Sequence, residues 1–288
     1  MQRSVACVAA TVLVVCLHLA SLAPAASAEN ILVRVASGLP GGTYRDIYTR
    51  NLEREMRGFR FIYLKSSGSL ENLDMLADSK ADLAFAQADV YAARRAADPR
   101  RYEDLMVLGR LAPECIYIAY RKDGDVTSLS QLAGKEGVPG KIAIGDPKSG
   151  MAGTWSYLAT LDPSLKKVEL DSTADTLAIN QLAVGVFDAV GWITDPSNLD
   201  HKMLRAATSN DALSIMSIED PMLVAPLADG TKIYELRKVK IDKKIIEKQI
   251  KTLCTSAMIF TRKDANPRLI GKVSDLVSLE LKKIVSER

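Results

Sequence analysis

Ile31-Leu-Val-Arg-Val-Ala-Ser-Gly-Leu-Pro-Gly-Gly-Thr43 is a short apolar run that breaks into a Ser- and Gly-rich loop, and the pattern returns at Arg60-Phe-Ile-Tyr-Leu-Lys-Ser-Ser-Gly-Ser69. Each loop opens a segment with helical spacing, Tyr44 to Met56 after the first and Ser69 to Ser79 after the second, with Ser69 as N-cap and Glu71 in the first turn. A third strand, Asp82-Leu-Ala-Phe-Ala86, precedes a helix from about Asp89 to Ala97. The order β-α-β-α-β-α predicts an α/β fold, a mostly parallel sheet covered by helices, with ligands bound beyond the carboxyl ends of the strands. The small-residue loops lie at those ends.

After Pro99 the pattern changes. Leu105-Met-Val-Leu108 and Cys115-Ile-Tyr-Ile-Ala-Tyr120 read as two strands split by Ala112-Pro113-Glu114, with no helix between them, which predicts a crossing into a second lobe. A second α/β series follows: a strand from Lys141 to Ile144, helices from about Gly150 to Thr160 and Ala174 to Val184, and the strand Asp188-Ala-Val-Gly-Trp192. Within it Asp146-Pro-Lys-Ser-Gly150 is a third strand-to-helix loop. Ser256-Ala-Met-Ile-Phe-Thr-Arg-Lys263 echoes Tyr117-Ile-Ala-Tyr-Arg-Lys122, each leading into an Asp, as expected of edge-of-lobe strands in a chain that leaves one lobe and later returns. Asn266-Pro267 is an N-cap and N1 pair for a last helix whose Ile270, Val273, Val277, Leu281 and Ile284 form an apolar stripe expected to dock on the first lobe. The expected division is residues 29–112 with 265–288 as lobe 1 and 113–264 as lobe 2. Helix N-termini leave N–H groups unpaired and carry partial positive charge. Three glycine-bearing loops at helix starts therefore predict a cleft that grips a small anionic or zwitterionic molecule.

The first residues bear on the compartment. Arg3, an apolar stretch from Val5 to Ala20, Pro24 and then Ala26-Ser27-Ala28 have the form of a secretory signal over residues 1–28, cut to leave a chain starting near Glu29. Arg3 is its sole charged side chain, so the formal charge of +3 becomes +2, too small a field to imply a nucleic-acid partner. Without His18, His201 is the remaining histidine; it sits in a polar stretch and reads as exposed, which excludes zinc sites with two or more His ligands. Cys115 and Cys254 are left from four cysteines, each starting a strand-like run; a disulfide and two buried thiols are both open.

The runs Ser66-Ser-Gly-Ser-Leu-Glu-Asn72 and Ala81-Asp-Leu-Ala-Phe-Ala-Gln-Ala-Asp-Val90 resemble the TAXI family of solute-binding receptors of TRAP transporters. Ser37 to Tyr44, Tyr120 to Asp123, Ile142 to Asp146 with Ser149-Gly150, and Phe187 to Val190 extend the resemblance over about residues 31–265. It implies a two-lobed type II periplasmic binding protein fold, hinge closure around a small carboxylate-containing solute such as glutamate or a dicarboxylate, and delivery to a TRAP-type membrane permease. It implies no enzyme activity, no cofactor and no metal, a periplasmic location and a monomer. Carried over by position, the ligand contacts would be Ser37, Gly42, Thr43 and Tyr44 from the first loop, then Ser67, Gly68 and Ser69 from the second with Gln87 at a strand end. Ser149 and Gly150, with Trp192 and Asp195, would close the other side.

Each Ser or Thr could equally be an ordinary helix cap, and Asp195 could either pair with an ammonium group or cap a helix starting near Pro196. Lys148-Ser-Gly-Met151 departs from the family's usual Gly-Ser-Gly-Thr, losing a hydroxyl and gaining a cation, which predicts a different hold on the ligand's anionic end. Of the two tryptophans, Trp192 has the better case for lining the cleft. Gly134 to Lys141 has the wrong spacing for a phosphate loop and reads as a turn before a strand. The acids Asp146, Asp188 and Asp195 lack partners that would make an acid and base pair. A sensory receptor on the same fold is the alternative, with an enzyme using Asp146 or Asp195 as the more distant one.

Overall fold

The computed structural model describes residues 30–134, 137–227, 230–243, 245 and 248–286. The expected signal sequence lies outside them, as do residues 135–136 of the Gly134 to Lys141 turn. In chain order, β1 (Ile31–Ala36) leads through a π-helical segment (Tyr44–Thr49) to α1 (Arg50–Glu55), β2 (Phe59–Leu64) to α2 (Ser69–Ala77), and β3 (Leu83–Gln87) to α3 (Ala88–Ala97). Then come β4 (Leu105–Arg121), α4 (Leu129–Leu132), β5 (Lys141–Ala143), α5 (Gly150–Leu161), β6 (Glu169–Asp171), α6 (Asp175–Ala183), β7 (Ala189–Thr194) and α7 (Lys202–Thr208). The chain ends with β8 (Leu213–Ile215), β9 (Glu235–Lys240), β10 (Gln249–Arg262), α8 (Pro267–Leu279) and α9 (Leu281–Val285).

The strands run in the order β2-β1-β3-β10-β4-β7-β5-β6, with β8 added to β4 and β9 to β10. β2, β1 and β3 are parallel to one another, as are β7, β5 and β6. Between these halves stands the antiparallel pair of β4 and β10. This is the two-lobed α/β fold of type II periplasmic binding proteins, and it places the carboxyl ends of both parallel sets toward one cleft.

One expectation is corrected here. Leu105 to Leu108 and Cys115 to Tyr120 are not separate strands; they belong to the single 17-residue β4, which runs through Ala112-Pro113-Glu114. Pro113 faces Ser256 beside a break in register on β10, a place where a residue without an N–H costs the ladder little. The two Tyr/Thr-Arg-Lys-Asp strands stand, as expected, where one lobe meets the other, β4 and β10 pairing and crossing between the lobes together. At the crossing Cys115 and Cys254 stand opposite each other and form a disulfide.

Each lobe has an apolar core. Val33, Tyr48, Phe85, Ile259 and Val273 belong to one, where the predicted stripe covers the first lobe but is carried by two helices, Ile270, Val273 and Val277 on α8 and, after a break at Glu280, Leu281 and Ile284 on α9. Cys115, Tyr117, Ile179, Val190 and Trp192 belong to the other. A third cluster joins the lobes, because α5 lays Met151, Trp155 and Leu158 against Leu70 and Leu73 of α2 and Val90 of α3. Gly153 makes the close approach possible: a Cβ there would lie 2.8 Å from both methyls of Val90. At the same junction the buried Asp89 carboxylate accepts hydrogen bonds from Thr154 Oγ1 and Tyr234 Oη, both at 2.7 Å. These contacts seat α5 of the second lobe against α2 and α3 of the first.

Candidate functional site

Where the strand ends converge there is a cavity of about 400 Å³. The loop after β1 contributes Ser37, Gly42, Thr43 and Tyr44 to its wall, and the loop after β2 contributes Ser67, Gly68 and Ser69. The two loops are tied together by a 3.0 Å hydrogen bond from Gly38 N–H to Ser66 Oγ. Ser69 is the first residue of α2, not its N-cap; that position is held by Gly68, whose φ of 138° is open to glycine. A Cβ on Gly68 would lie 3.0 Å from the backbone N of Gly150, so the bare backbone lets the second and third loops close on each other.

Across the cleft the loop after β5 brings in Ser149 and Gly150 at the start of α5. Ser149 Oγ caps its helix by accepting from Ala152 N–H at 3.2 Å. Lys148 does not turn into the cavity: its Nζ is 3.3 Å from Glu71 Oε1 on α2, a bond between the lobes, while Met151 lines the wall. The cation gained in this loop therefore serves closure. Gln87, at the end of β3, lies so close to Gly150 that a Cβ there would be 2.7 Å from its Nε2.

Trp192 lines the cavity from β7, stacked on Tyr117 of β4 with ring centroids 5.6 Å apart. Asp195 is not among the wall residues; its Oδ1 accepts from Ser197 N–H at 2.7 Å and from Ser197 Oγ at 2.6 Å. No helix starts at Pro196, and α7 begins only at Lys202. His201 is a second correction. It is half-buried, lines the cavity and stacks on the other face of Trp192 at 6.4 Å. Burial, with Lys202 next to it, pushes its imidazole down from the usual range, against the opposing field of Asp175.

The residue that sequence reasoning missed is Glu114. It lies mid-strand on β4, is 7% exposed and lines the cavity. Tyr44 Oη donates to its Oε2 at 2.9 Å, and the Gln87 amide also bonds to it. Burial pushes its carboxyl up to about 7, opposed by the Tyr44 and Gln87 hydrogen bonds and reinforced by the fields of Asp89 and Asp195. An acid directly before the apolar run Cys115-Ile-Tyr-Ile-Ala119 was the available signal.

Several buried polar atoms of residues around the cavity have no hydrogen-bond partner: Ser37 Oγ, Ser69 Oγ, Gln87 Oε1, Trp192 Nε1 and His201 Nδ1. An unmet buried polar atom costs about 1–3 kcal/mol. Five on residues lining one space suit it to a polar occupant. Tyr44, stacked on Phe85 at 5.5 Å, supplies an apolar wall.

The two-lobed fold thus holds a polar cavity in its cleft. The chain belongs to the NMT1-like family, whose model matches residues 41–278. Among solved structures, a binding protein component of an ABC phosphonate transporter from Pseudomonas aeruginosa is similar, with TM-score 0.54 and 13% identity over 89% of this chain and 78% of that one. A mutant of ArgBP from T. maritima matches with TM-score 0.50 and 15% identity over 88% and 89%. XAC2383 from Xanthomonas citri, bound to chloride, has TM-score 0.52 and 14% identity over 88% of each chain. These likenesses share the fold.

Proposed function

We propose that this protein is a periplasmic solute receptor that closes its two lobes on a small carboxylate-containing solute, an amino acid or dicarboxylate, and passes it to a TRAP-type permease as the TAXI-like motifs imply. The observation that carries the reading is the set of unpartnered buried atoms, Ser37 Oγ, Ser69 Oγ and Gln87 Oε1 on one lobe and Trp192 Nε1 and His201 Nδ1 on the other, on residues around one cavity. A solute touching both sets favours the shut form by its differential contacts. Family membership and binding-protein neighbours favour the same reading. On this reading Ser37, Gly42, Thr43, Tyr44, Ser67, Gly68, Ser69, Gln87, Ser149, Gly150 and Trp192 are ligand contacts.

The test is a thermal-shift and calorimetric screen of amino acids, 2-oxo acids and dicarboxylates, since a ligand that binds only the folded chain raises its melting temperature. Gln87→Ala should weaken the best ligand about tenfold or more, the equivalent of ~1.4 kcal/mol, and Ser67→Ala should weaken it in the same direction. A screen in which nothing binds, or unchanged affinity in both variants, overturns the assignment. The transport step is tested by deleting the gene and measuring uptake of that ligand by whole cells.

A further inference from the structure

We propose that Glu114 makes the cleft selective for a solute carrying a primary ammonium beside its carboxylate, so that the site takes a zwitterion and turns away a dicarboxylate. The inference rests on the solute-receptor reading above and narrows it.

Charge is the first argument. Glu114, Asp146 and Asp175 all border the cavity, but Asp175 is paired with Lys202 Nζ at 2.6 Å and Asp146 accepts from Lys148 N–H at 2.7 Å, which leaves Glu114 as the acid with neither a cation nor a backbone N–H; among the described residues no Lys or Arg lines the cavity. The nearest candidate, Lys148, is engaged with Glu71. A dicarboxylate would bring two negative charges beside the buried Glu114, with neutral donors alone, backbone N–H groups, hydroxyls and the Trp192 indole N–H, to receive them. A zwitterion brings one, together with a positive charge that Glu114 attracts.

Hydrogen-bond supply is the second. Gln87 Oε1 is an acceptor on a side chain 4% exposed, and it has no donor. The same amide touches Glu114, whose oxygens are also acceptors when ionised. An ammonium with its three donors answers this pair; a second carboxylate would set oxygen against oxygen. The Gln87 amide also lies against Gly150, at the start of α5, where a carboxylate would be held. The Gln87 amide thus stands between the two subsites, Glu114 on one side and the start of α5 on the other.

The groups around Glu114 leave it room to respond to pH. Tyr44 and Tyr48 face it from the first loop and its helix, Gln87 and Asp89 from β3 and α3, and Asp195 from the end of β7; on β10 its opposite number is the uncharged Thr255. None of these supplies a cation, so the ammonium of a bound solute is the partner that draws the proton off Glu114.

The experiment uses the full mature chain and probe pairs that differ by the ammonium: L-glutamate against glutarate, L-alanine against propionate, and L-phenylalanine against 3-phenylpropionate. Calorimetry at pH 8 should find the ammonium-bearing member of the bound pair at least tenfold tighter. Its affinity should fall about tenfold from pH 8 to pH 6, because a carboxyl titrating at about 7 passes from mostly ionised to mostly protonated over that range. Glu114→Gln should remove both the preference and the slope. Equal affinity within a pair, or affinity that rises as pH falls, overturns the selectivity while leaving a carboxylate receptor standing. If no member of any pair binds, the solute-receptor reading falls with it. The wild-type pair and pH comparisons decide the matter even where the variant does not fold.

Discussion

Gly153→Ala asks whether α5 is seated on the first lobe as tightly as the geometry says. The new Cβ would lie 2.8 Å from both methyls of Val90 and 3.0 Å from Leu70 Cγ. Carbon atoms pack at about 3.5–4.0 Å, so these neighbours must retreat by roughly 0.5–1 Å. Val90 is fully buried, and Leu70 is 6% exposed, so neither has space to swing into. Val90 is also held to few rotamers by its branched Cβ. Overpacking of this kind costs about 1–3 kcal/mol. Against it stands the removal of a glycine from a helix interior, which by itself stabilises by up to about 1 kcal/mol. The net expectation is a loss of about 1–2 kcal/mol, read as a lower urea midpoint with an unchanged slope, and as a fall of about 3–6 °C in melting temperature for a chain of this size. A gain of stability would refute the reasoning. It would mean that α5 stands clear of α2 and α3 in solution, leaving only the helix-propensity term.

Other outcomes follow from the same contacts. Glu114 titrates in the fold at about 7, above the ordinary 4.5, so the folded chain holds a proton the unfolded chain has released; its stabilising contribution is complete below about pH 4.5 and is lost as pH rises to about 7. Glu114→Gln should therefore gain up to ~3 kcal/mol relative to wild type at pH 8 compared with pH 4 in urea titrations; equal differences at both pH values would contradict the buried, proton-binding carboxyl. The Cys115–Cys254 bond spans 139 residues of sequence, and replacing both with Ser, or adding reductant to the wild type, should cost about 2–5 kcal/mol in the same assay. Reductant that leaves wild-type stability unchanged would argue that the bond does not form. Asp195→Ala should leave solute affinity within about twofold, since its carboxylate is spent on Ser197.

The strand-loop-helix units of the first lobe were legible because everything that specifies them is local: period-2 apolar runs, glycines where the chain must turn, polar residues at helix starts. The joined β4 was not. Pro113 interrupts the period, and what carries the strand through is its partner β10, more than a hundred residues away, which offers a register break at that point. β9 escaped for a different reason. Glu235-Leu-Arg-Lys-Val-Lys240 exposes all but one of its side chains and shows no buried face to read; it exists by pairing with the first half of β10. His201 was misplaced likewise, because its neighbours in sequence are polar while its neighbour in space is the indole of Trp192, itself positioned by the cross-strand pair with Tyr117.

The acids divide on the same principle, and the division explains why the wrong one drew attention. Asp146, Asp188 and Asp195 stand at strand ends or in turns, where a free backbone N–H is always within reach: Asp146 takes Lys148 N–H, Asp188 takes Lys141 N–H and Asp195 takes Ser197 N–H, each at 2.7 Å. A carboxylate with such a donor is structurally satisfied, however suggestive its position beside a cleft. Glu114 has no such recourse. In mid-strand its neighbouring N–H groups belong to the ladder with β10 and β7, so its charge must be met by side chains from other elements or by an occupant of the cavity. Tyr44 and Gln87 meet it in part, and the carboxyl still sits near 7, so the fold alone does not compensate the ionised form. An acid at a turn is thus a weak pointer to a ligand, and an acid locked inside a strand, facing a cavity without a cation, is a strong one.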